Sequence, residues 1–367
     1  MKINFNFKES NLCFDNPVSV IACFGPHEVI WAFEKMEEAL ARGLYVAGFF
    51  SYELGYAFEE TFSSYSLNGF PLIYAGCFKT PRSCKNKQAA ASHPEEVKNV
   101  RFNISPEKYF EHIDIIRSYL QSGDVYQITY CLKILFDFDG SAFGLYQRLF
   151  NIQPVPYAAF IETDQYGIAS LSPELFLYKK GNAILSKPMK GTWPRGGTLF
   201  DDIRERYKFR HDEKNRAENI MITDLLRNDL GRIGKNIHVP RLCEVTPYKT
   251  LFQMTSTVAA DIEPDVPLYN LFKSLFPSGS VTGAPKIRAM EIIHELEREP
   301  RNIYTGAIGY IKPNKDLFIN IPIRTALINR STGKGEMGIG GGIVWDSTAE
   351  GEWAEGILKA RFFTDGL

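Results

Sequence analysis

One stretch of sequence decides the fold class: Val125-Tyr-Gln-Ile-Thr-Tyr-Cys-Leu-Lys-Ile-Leu-Phe136. Apolar and polar residues alternate along it, which is the period-two pattern of a strand with one face in the core. The other face is polar enough to line a cleft. The predicted core face and cleft face consist, respectively, of Tyr126, Ile128, Tyr130, Leu132, Ile134 and Phe136, and of Gln127, Thr129, Cys131 and Lys133.

Strand and helix patterns follow one another at uneven spacing around this stretch. A buried strand is predicted from Leu44, and a helix begins after the cap Ser105 and ends at Gly123. The uneven order favours an α+β fold with large antiparallel sheets over a doubly wound parallel sheet. Further strands are predicted near 157–162, 174–179, 303–312, 317–328 and 336–345, and helices near 29–42, 203–230, 267–275, 285–297 and 348–363.

Composition and charge exclude several classes of protein. Hydrophobic residues make up 44% and charged residues 23% of the 367 positions, as is ordinary for a globular protein. The net charge of −1 shows no excess of basic residues that would indicate binding to nucleic acid or to an acidic membrane. No apolar run approaches the ~18 residues of a membrane span, and the N-terminus lacks a signal-peptide pattern. We therefore expect no nucleic-acid or membrane partner and a cytoplasmic location.

The cysteines and histidines show no metal-site spacing. The six cysteines are scattered without a CxxC pair, so they are predicted to be free thiols rather than a disulfide framework. The histidines form no HxxxH or HxH pair. A polar, aperiodic segment with two prolines, residues 80–94, is the clearest linker.

Carboxylates on two predicted helices are candidates for a metal site. Ser347-Thr-Ala-Glu350 is predicted to be a capping box, after which Glu352, Glu355 and Lys359 share one helical stripe. Glu218 lies on the helix near 203–230. Carboxylates from two helices, completed by water and substrate oxygens, suit Mg²⁺. Taken alone, each segment is better explained as a solvated acidic helix face, with Glu355 and Lys359 as a surface ion pair.

Three glycine- and proline-containing segments are candidates for ligand contact. Lys190 lies in Lys187-Pro-Met-Lys-Gly-Thr-Trp-Pro-Arg-Gly196, predicted to be a rigid loop where a desolvated lysine would become a nucleophile. Phe276–Arg288 places Pro285 after a Gly/Ser/Thr-rich loop and is predicted to present backbone N–H groups to an anion, or to be an ordinary turn. Gly340-Gly-Gly342 leaves the backbone bare for a carboxylate, or marks a bulge.

The order of eight blocks along the chain resembles the chorismate-utilising enzyme family over roughly residues 100–363. The blocks are Gly123-Asp-Val-Tyr-Gln-Ile128, Ser172-Pro-Glu-Leu-Phe-Leu177, Pro188-Met-Lys-Gly-Thr192, Arg216-Ala-Glu-Asn-Ile-Met-Ile-Thr-Asp224, Gly279-Ser-Val-Thr-Gly-Ala-Pro-Lys286, Tyr304-Thr-Gly-Ala-Ile-Gly-Tyr310, Ile323-Arg-Thr-Ala326 and Gly340-Gly-Gly-Ile-Val-Trp-Asp-Ser347.

The resemblance implies a two-lobed sandwich of antiparallel sheets with helices outside and the active site in the central cleft. It implies a catalytic domain over residues 96–367 and an N-terminal region, residues 1–95, packed into the same unit. It also implies Mg²⁺ and chorismate. By matching motifs, Glu218 and Glu355 are the metal ligands, with Glu352 behind them. The expected substrate-binding residues are Thr192, Thr282, Tyr304, Arg324, Gly340, Gly342 and Lys359.

Two positions discriminate among branches of the family. Water-adding members (isochorismate and salicylate synthases) have a lysine where this chain has Gln127, and anthranilate synthases usually have alanine where it has Lys190. The chain therefore resembles the aminodeoxychorismate synthases. This branch implies that Lys190 attacks chorismate, that Glu174 protonates the departing 4-hydroxyl, and that 4-amino-4-deoxychorismate forms for p-aminobenzoate and folate synthesis. Gln127 is the third expected catalytic residue.

One missing motif and three unusual residues bear on the resemblance to aminodeoxychorismate synthases. The sequence has no Gly-x-Cys-x-Gly glutaminase signature, so ammonia is expected from a separate glutaminase subunit or from solution. Gln253 replaces a common histidine, Asn215 replaces a carboxylate near the metal ligands, and Trp193 replaces an arginine. The alternatives are anthranilate synthase component I and a non-catalytic paralogue that binds a carboxylated metabolite.

Overall fold

The structure, a computed structural model, describes residues 1–8, 10–65, 67–84, 96–248 and 251–364. The predicted linker lies outside the described residues from position 85 onward. The helices in these ranges are α1 (Val29–Ala41), α2 (Pro106–Ser122), α3 (Ala142–Ile152), α4 (Leu199–His211), α5 (Glu213–Gly231), α6 (Leu268–Leu275), α7 (Lys286–Glu297) and α8 (Ala349–Thr364).

The strands lie in two antiparallel sheets. They are β1 (Lys2–Phe7), β2 (Ser10–Asp15), β3 (Ser19–Cys23), β4 (Tyr45–Phe50), β5 (Ile73–Phe78), β6 (Arg82–Ser83), β7 (Glu96–Phe102), β8 (Gln127–Asp139), β9 (Tyr157–Glu162), β10 (Tyr166–Ser172), β11 (Leu175–Lys180), β12 (Ala183–Lys187), β13 (Met189–Pro194), β14 (Gly234–Pro247), β15 (Leu251–Ile262), β16 (Gly283–Ala284), β17 (Ala307–Ile311), β18 (Leu317–Asn320), β19 (Thr325–Asn329) and β20 (Lys334–Ile343).

The first sheet has the order β16-β8-β20-β19-β10-β9-β1-β2-β6, with β7 also paired to β8. The second has the order β13-β15-β12-β11-β18-β17-β4-β5-β3, with β14 also paired to β15. Strands from the N-terminal region thus belong to both sheets. The proposed division at residue 95 stays a prediction.

The two sheets pack face to face at the end that holds β1 and β4. Aromatic side chains from both sheets fill this space; for example, the ring centroids of Phe7 and Phe318 are 4.8 Å apart. Two further apolar clusters place helices on the outer faces, α2, α3, α7 and α8 against the first sheet and α1, α5 and α6 against the second. The predicted α+β sandwich with helices outside is confirmed.

The end caps of α2 follow the sequence prediction. Ser105 Oγ accepts a hydrogen bond from the Lys108 N–H, and Gly123 ends the helix at φ 79°. At α8 the prediction of a capping box from Ser347 is wrong. Thr348 Oγ1 accepts from the Gly351 N–H, and the helix begins at Ala349. The shift leaves Glu352, Glu355 and Lys359 on the same stripe.

Other predicted boundaries need correction. The region near 203–230 is two helices, α4 and α5, because Asp212 ends the first and caps the second with its side chain. The region near 317–328 is two strands, β18 and β19. Tyr126, predicted to face the core, is 69% exposed because β8 begins at Gln127.

The prediction that all cysteines are free is wrong for one pair. Cys13 and Cys84 form a disulfide. The antiparallel pairing of β2 with β6 places Cys13 opposite Arg82 and brings the two cysteine Cα atoms within 5.2 Å. That contact joins residues 71 positions apart, which spacing alone does not reveal. No helix in the described ranges combines the length and apolar character needed to cross a bilayer.

Candidate active site

Several of the predicted site residues meet where β8 and β20 of the first sheet face β13 of the second. Gly342 on β20 pairs with Thr129 on β8. A methyl group placed on Gly342 would lie 2.6 Å from Gln127 Nε2 and 2.6 Å from Lys190 Nζ. A larger residue here would displace one or both of these side-chain ends, which come from different sheets and occupy the space beside the Gly342 Cα.

The charged stripe of α8 lies against the neighbouring glycines. Lys359 Nζ donates a 2.7 Å hydrogen bond to the Gly340 carbonyl and is paired with Glu355 at 2.7 Å. A methyl group on Gly341 would lie 3.0 Å from Glu352 Oε2. The three glycines lie inside β20 near its end rather than at its start, and they allow the carboxylates of α8 to approach the sheet.

Lys190 lies on β13 rather than in the predicted rigid loop. An irregularity in the pairing of β13 with β15 falls between Met189 and Thr192, so the strand is bulged around Lys190. Within the described residues its Nζ makes no hydrogen bond. Burial lowers the pKa of Lys190, and Lys359 lowers it further, while Glu218 and other carboxylates oppose the shift. The amine is therefore easier to deprotonate than an exposed lysine.

Glu174 lies between β10 and β11 and is buried. Its Oε1 accepts a 2.7 Å hydrogen bond from Ser280 Oγ, and the Met189 N–H also donates to it. Burial raises the pKa of Glu174 to about 7, although Ser280, Lys190 and the Met189 N–H each lower it. Glu174 can therefore hold a proton near neutral pH, and its carboxylate interacts electrostatically with Lys190, whose pKa burial lowers.

Three carboxylates surround the same space. Burial raises the pKa of Glu218 and of Glu352, whose Oε1 accepts from Ser347 Oγ. Burial would also raise the pKa of Glu355, but Lys359 and Lys190 outweigh burial and lower it. Glu218 and Glu355 repel each other electrostatically. Among the described residues, no group of three or more His, Cys, Asp or Glu side chains is arranged so that it could hold a metal ion.

Comparison with known proteins identifies the family. Residues 14–365 match the family described as chorismate binding enzyme. The chain belongs to this family. It is 39% identical over 305 residues to the probable chloroplastic aminodeoxychorismate synthase of Oryza sativa subsp. japonica, covering 81% of this chain and 32% of that one.

Relatives from two branches are similarly close. Aminodeoxychorismate synthase component 1 of Escherichia coli (strain K12) is 37% identical over 261 residues, covering 71% of this chain and 57% of that one. Anthranilate synthase component 1 of Acinetobacter calcoaceticus is 34% identical over 290 residues, covering 77% and 57%. The matched region thus spans between about a third and somewhat over half of these curated relatives.

Solved structures share the fold. Anthranilate synthase component I from Streptococcus pneumoniae TIGR4 superposes with a TM-score of 0.81 at 23% identity, covering 98% of this chain and 92% of that one. At this identity the likeness shows the fold alone. It agrees with the two antiparallel sheets described above.

Buried polar atoms without partners point to a ligand space between the two sheets. Both amide atoms of Gln127 and the Thr129 hydroxyl are buried and lack a hydrogen-bond partner in the described chain. The same is true of Gln253 Oε1. An unpaired buried polar group costs about 1–3 kcal/mol. A polar ligand that pairs with these atoms would recover that cost.

The remaining predicted binding residues are placed unequally. Thr282 is fully buried, and its hydroxyl donates to the Ser278 carbonyl at 3.1 Å. Arg324 is half-buried at φ 51° and interacts electrostatically with Tyr248. Tyr304 packs its ring against Gly338, one step along the polar face of β8 and β20 from Gly340. Thr192 is exposed and is not brought against the other site residues.

Residues that sequence reasoning missed support this site. Arg301 is buried and forms an ion pair with Glu297 at 2.6 Å. Its guanidinium donates to the Thr129 carbonyl on β8 and to the Val281 carbonyl in the 3-10 turn Gly279–Val281. It therefore ties the strand of Gln127 to the turn that carries Ser280. Neither Arg301 nor Ser280 stands out in the sequence, because their partners are distant in the chain.

Two of the three residues that differ from the family pattern, Asn215 and Trp193, have a structural role. Asn215 donates to Asp212 and stands against Gly191, where an added methyl group would lie 2.6 Å from its Oδ1. It thus supports the backbone beside Lys190. Trp193 stacks on Phe209 with centroids 5.5 Å apart and donates to Glu205 at 3.0 Å, which fastens α4 to β13.

Proposed function

We propose that this chain aminates chorismate at carbon 4, giving 4-amino-4-deoxychorismate on the route to p-aminobenzoate and folate. One observation carries the proposal. Lys190 Nζ lies beside Gln127 and Gly342 with a lowered pKa, and the protonatable Glu174 interacts with it across the same space. The surroundings therefore make Lys190 a candidate nucleophile and Glu174 a candidate acid within the same space.

The residues divide the work of the reaction between them. The neutral Lys190 amine attacks ring carbon 2, the diene electrons shift, and the C4–O bond breaks as Glu174 delivers its proton, so that water leaves. Ammonia then adds at carbon 4 while the bond between carbon 2 and Lys190 breaks, which returns the electron pair to the lysine. The new ammonium gives a proton to the Glu174 carboxylate, and both residues are restored.

The oxygen donors of this chain fit Mg²⁺. Glu218 and Glu355, with Glu352 behind them, offer carboxylates from two helices, and Mg²⁺ prefers few protein ligands. When bound, the ion would neutralise the ring carboxylate of chorismate and hold it in place. Their mutual repulsion and the raised pKa of Glu218 and Glu352 agree with a site that is stabilised by a cation.

The substrate-binding assignments follow the same geometry. The orphaned amide of Gln127 and the bare backbone around Gly340 and Gly342 are placed to meet substrate oxygens. Arg324 and Tyr304, with Gly340 and Gly342, are assigned to the enolpyruvyl side of chorismate, and Thr282 and Lys359 are further candidates for substrate contact. Thr192 is the weakest of these assignments, since it is exposed.

Ammonia is proposed to come from a separate glutaminase subunit. The bacterial relatives are named component 1 of their synthases, which is consistent with a second component. Pyruvate elimination is assigned to a different enzyme. The second candidate is anthranilate synthase component I, favoured by the 34% identity to the Acinetobacter calcoaceticus protein.

Product identification separates the two candidates. Purified chain, chorismate, Mg²⁺ and ammonium are incubated, and the product is identified by mass spectrometry and fluorescence. Aminodeoxychorismate without released pyruvate supports the proposal. Fluorescent anthranilate with stoichiometric pyruvate would replace it by the second candidate, and unchanged chorismate would favour a non-catalytic binder.

A further inference from the structure

Helix α4 turns an apolar stripe away from the body of the protein. Leu199, Phe200, Ile203 and Tyr207 are 80%, 76%, 62% and 66% exposed, respectively. At about 100° per residue these side chains fall within a sector of roughly 100°. We call them the α4 stripe. An amphipathic helix normally buries such a stripe in its own core, and this one does not.

The opposite side of α4 is already used for packing. Phe209 is fully buried against Trp193, and Asp202 forms a two-point ion pair with Arg195 at 2.6 Å for each hydrogen bond. The helix is therefore held firmly to β13 by its inner side. Because that side is occupied, a rotation that buried the α4 stripe would break these contacts.

The exposed area of the α4 stripe is comparable to that of the largest apolar patch on an ordinary monomer. A large apolar or aromatic side chain offers about 150–250 Å², so the α4 stripe presents roughly 500 Å². The largest apolar patch on an ordinary monomer is about 300–600 Å² and is often functional. A standard protein interface buries about 800 Å² on each partner. The stripe supplies more than half of that requirement on one helix.

The charges beside the stripe favour an acidic partner. Neither Arg206 nor Arg210 forms a close ion pair among the described residues; Arg206 donates to the Val245 carbonyl and interacts with the Asp202 carboxylate at longer range. The end of the helix also carries Lys208, which is paired with Glu205. Carboxylates on a docked surface would form ion pairs with Arg206 and Arg210, which argues against a second copy that contributes the same cationic helix.

Helix α4, which carries the stripe, is attached to the strand that carries the proposed nucleophile, Lys190. Trp193 and Arg195, which hold α4, directly follow the segment of β13 that carries Lys190. A protein docked on the α4 stripe would be separated from the strand of the proposed nucleophile by the width of one helix, about 10 Å. Ammonia must reach carbon 4 unprotonated and without escaping to solvent, so its source is best placed at such a surface.

We propose that the α4 stripe is the docking surface for the ammonia-supplying glutaminase subunit, which contributes an apolar pocket with an acidic rim. This inference rests on the proposed amination of chorismate.

The test compares two nitrogen sources. The double variant Phe200→Glu, Ile203→Glu is assayed for aminodeoxychorismate with ammonium alone, and with glutamine plus the glutaminase subunit of the source organism. The control variant Ile30→Glu places a charge on an exposed apolar position of α1, where Ile30 is 55% exposed, outside the α4 stripe. Subunit binding is measured in parallel by sedimentation.

The expected result is an ammonium-dependent rate within about twofold of the parent, and a glutamine-dependent rate and subunit affinity reduced at least about tenfold, with Ile30→Glu unaffected. Unchanged glutamine-dependent activity would overturn the docking assignment. So would an equal loss with both nitrogen sources, or conversion of a parent dimer into a monomer by the variant. If the parent forms no product with ammonium, the amination proposal fails, while the sedimentation result still decides the docking surface.

Discussion

Removal of the Ser280 hydroxyl is expected to shift the pH dependence of catalysis through Glu174. Ser280 Oγ donates a 2.7 Å hydrogen bond to the buried Glu174 carboxylate. That bond favours the ionised carboxylate and holds down a pKa that burial has raised to about 7. Ser280→Ala removes the bond and should therefore raise the pKa of Glu174 further.

The size of the shift follows from the hydrogen bond. A hydrogen bond to a charged group contributes about 1.5–3 kcal/mol, and about 1.4 kcal/mol corresponds to one pKa unit. The pKa of Glu174 should rise by about 1–2 units. Because Glu174 acts as an acid only when protonated, kcat/KM is expected to fall above its pKa. The alkaline limb of the profile should therefore move upward by about 1–2 pH units.

The assay is the ammonium-dependent formation of aminodeoxychorismate at saturating Mg²⁺ from pH 6 to pH 10. Ser280→Thr keeps a hydroxyl and is expected to restore most of the parent profile. An alkaline limb that does not move in Ser280→Ala would refute the proposed coupling. So would an equal displacement in both variants, since the effect would then come from packing rather than from the hydroxyl.

Three other substitutions test separate parts of the site. Gly342→Ala places a methyl group 2.6 Å from Lys190 Nζ and should lower the amination rate by about a hundredfold, whereas Gly356→Ala, with open space on α8, should leave the rate unchanged. Glu218→Gln should raise the Mg²⁺ concentration for half-maximal activity by about tenfold or more, whereas the exposed control Glu213→Gln should leave it unchanged. If Glu218→Gln also left the Mg²⁺ titration unchanged, Glu218 would not be a ligand of the metal site. Arg301→Met leaves Glu297 unpaired and should lower the free energy of unfolding in urea by about 3–5 kcal/mol. Arg301→Lys should recover little of that free energy, because lysine lacks the two-point hydrogen-bonding geometry of arginine. A loss below about 1 kcal/mol in Arg301→Met would contradict the proposal that Arg301 holds β8 to the turn of Ser280.

Local patterns in the sequence predicted most elements of the fold. The alternation from Gln127 to Phe136 is β8, and the cap at Ser105 and the stop at Gly123 bound α2. The predicted helix boundaries were wrong where a side-chain capping contact determines the end of the helix. Asp212 divides the region near 203–230 into two helices, and Thr348 rather than Ser347 caps α8. Residues of similar capping ability stood next to each other, so composition did not distinguish them.

Long-range contacts were not predictable in the same way. The Cys13–Cys84 disulfide depends on the pairing of two edge strands. Lys190 was expected in a loop, but pairing with β15 makes it part of a bulged strand. Ser280 and Arg301 matter because of partners more than 100 positions away, Glu174 and Thr129, respectively. The family motifs carried the site prediction, since their order encodes contacts that single segments do not.

The most direct test of the account is the rate of aminodeoxychorismate formation from chorismate, Mg²⁺ and ammonium by the parent chain, Lys190→Ala and the control Lys187→Ala, each followed by mass spectrometry. Lys187 ends β12 and is not part of the proposed site. The account predicts a loss of at least about a hundredfold for Lys190→Ala and a rate within about twofold of the parent for Lys187→Ala. A Lys190→Ala chain that forms aminodeoxychorismate at the parent rate would contradict the nucleophilic role of Lys190.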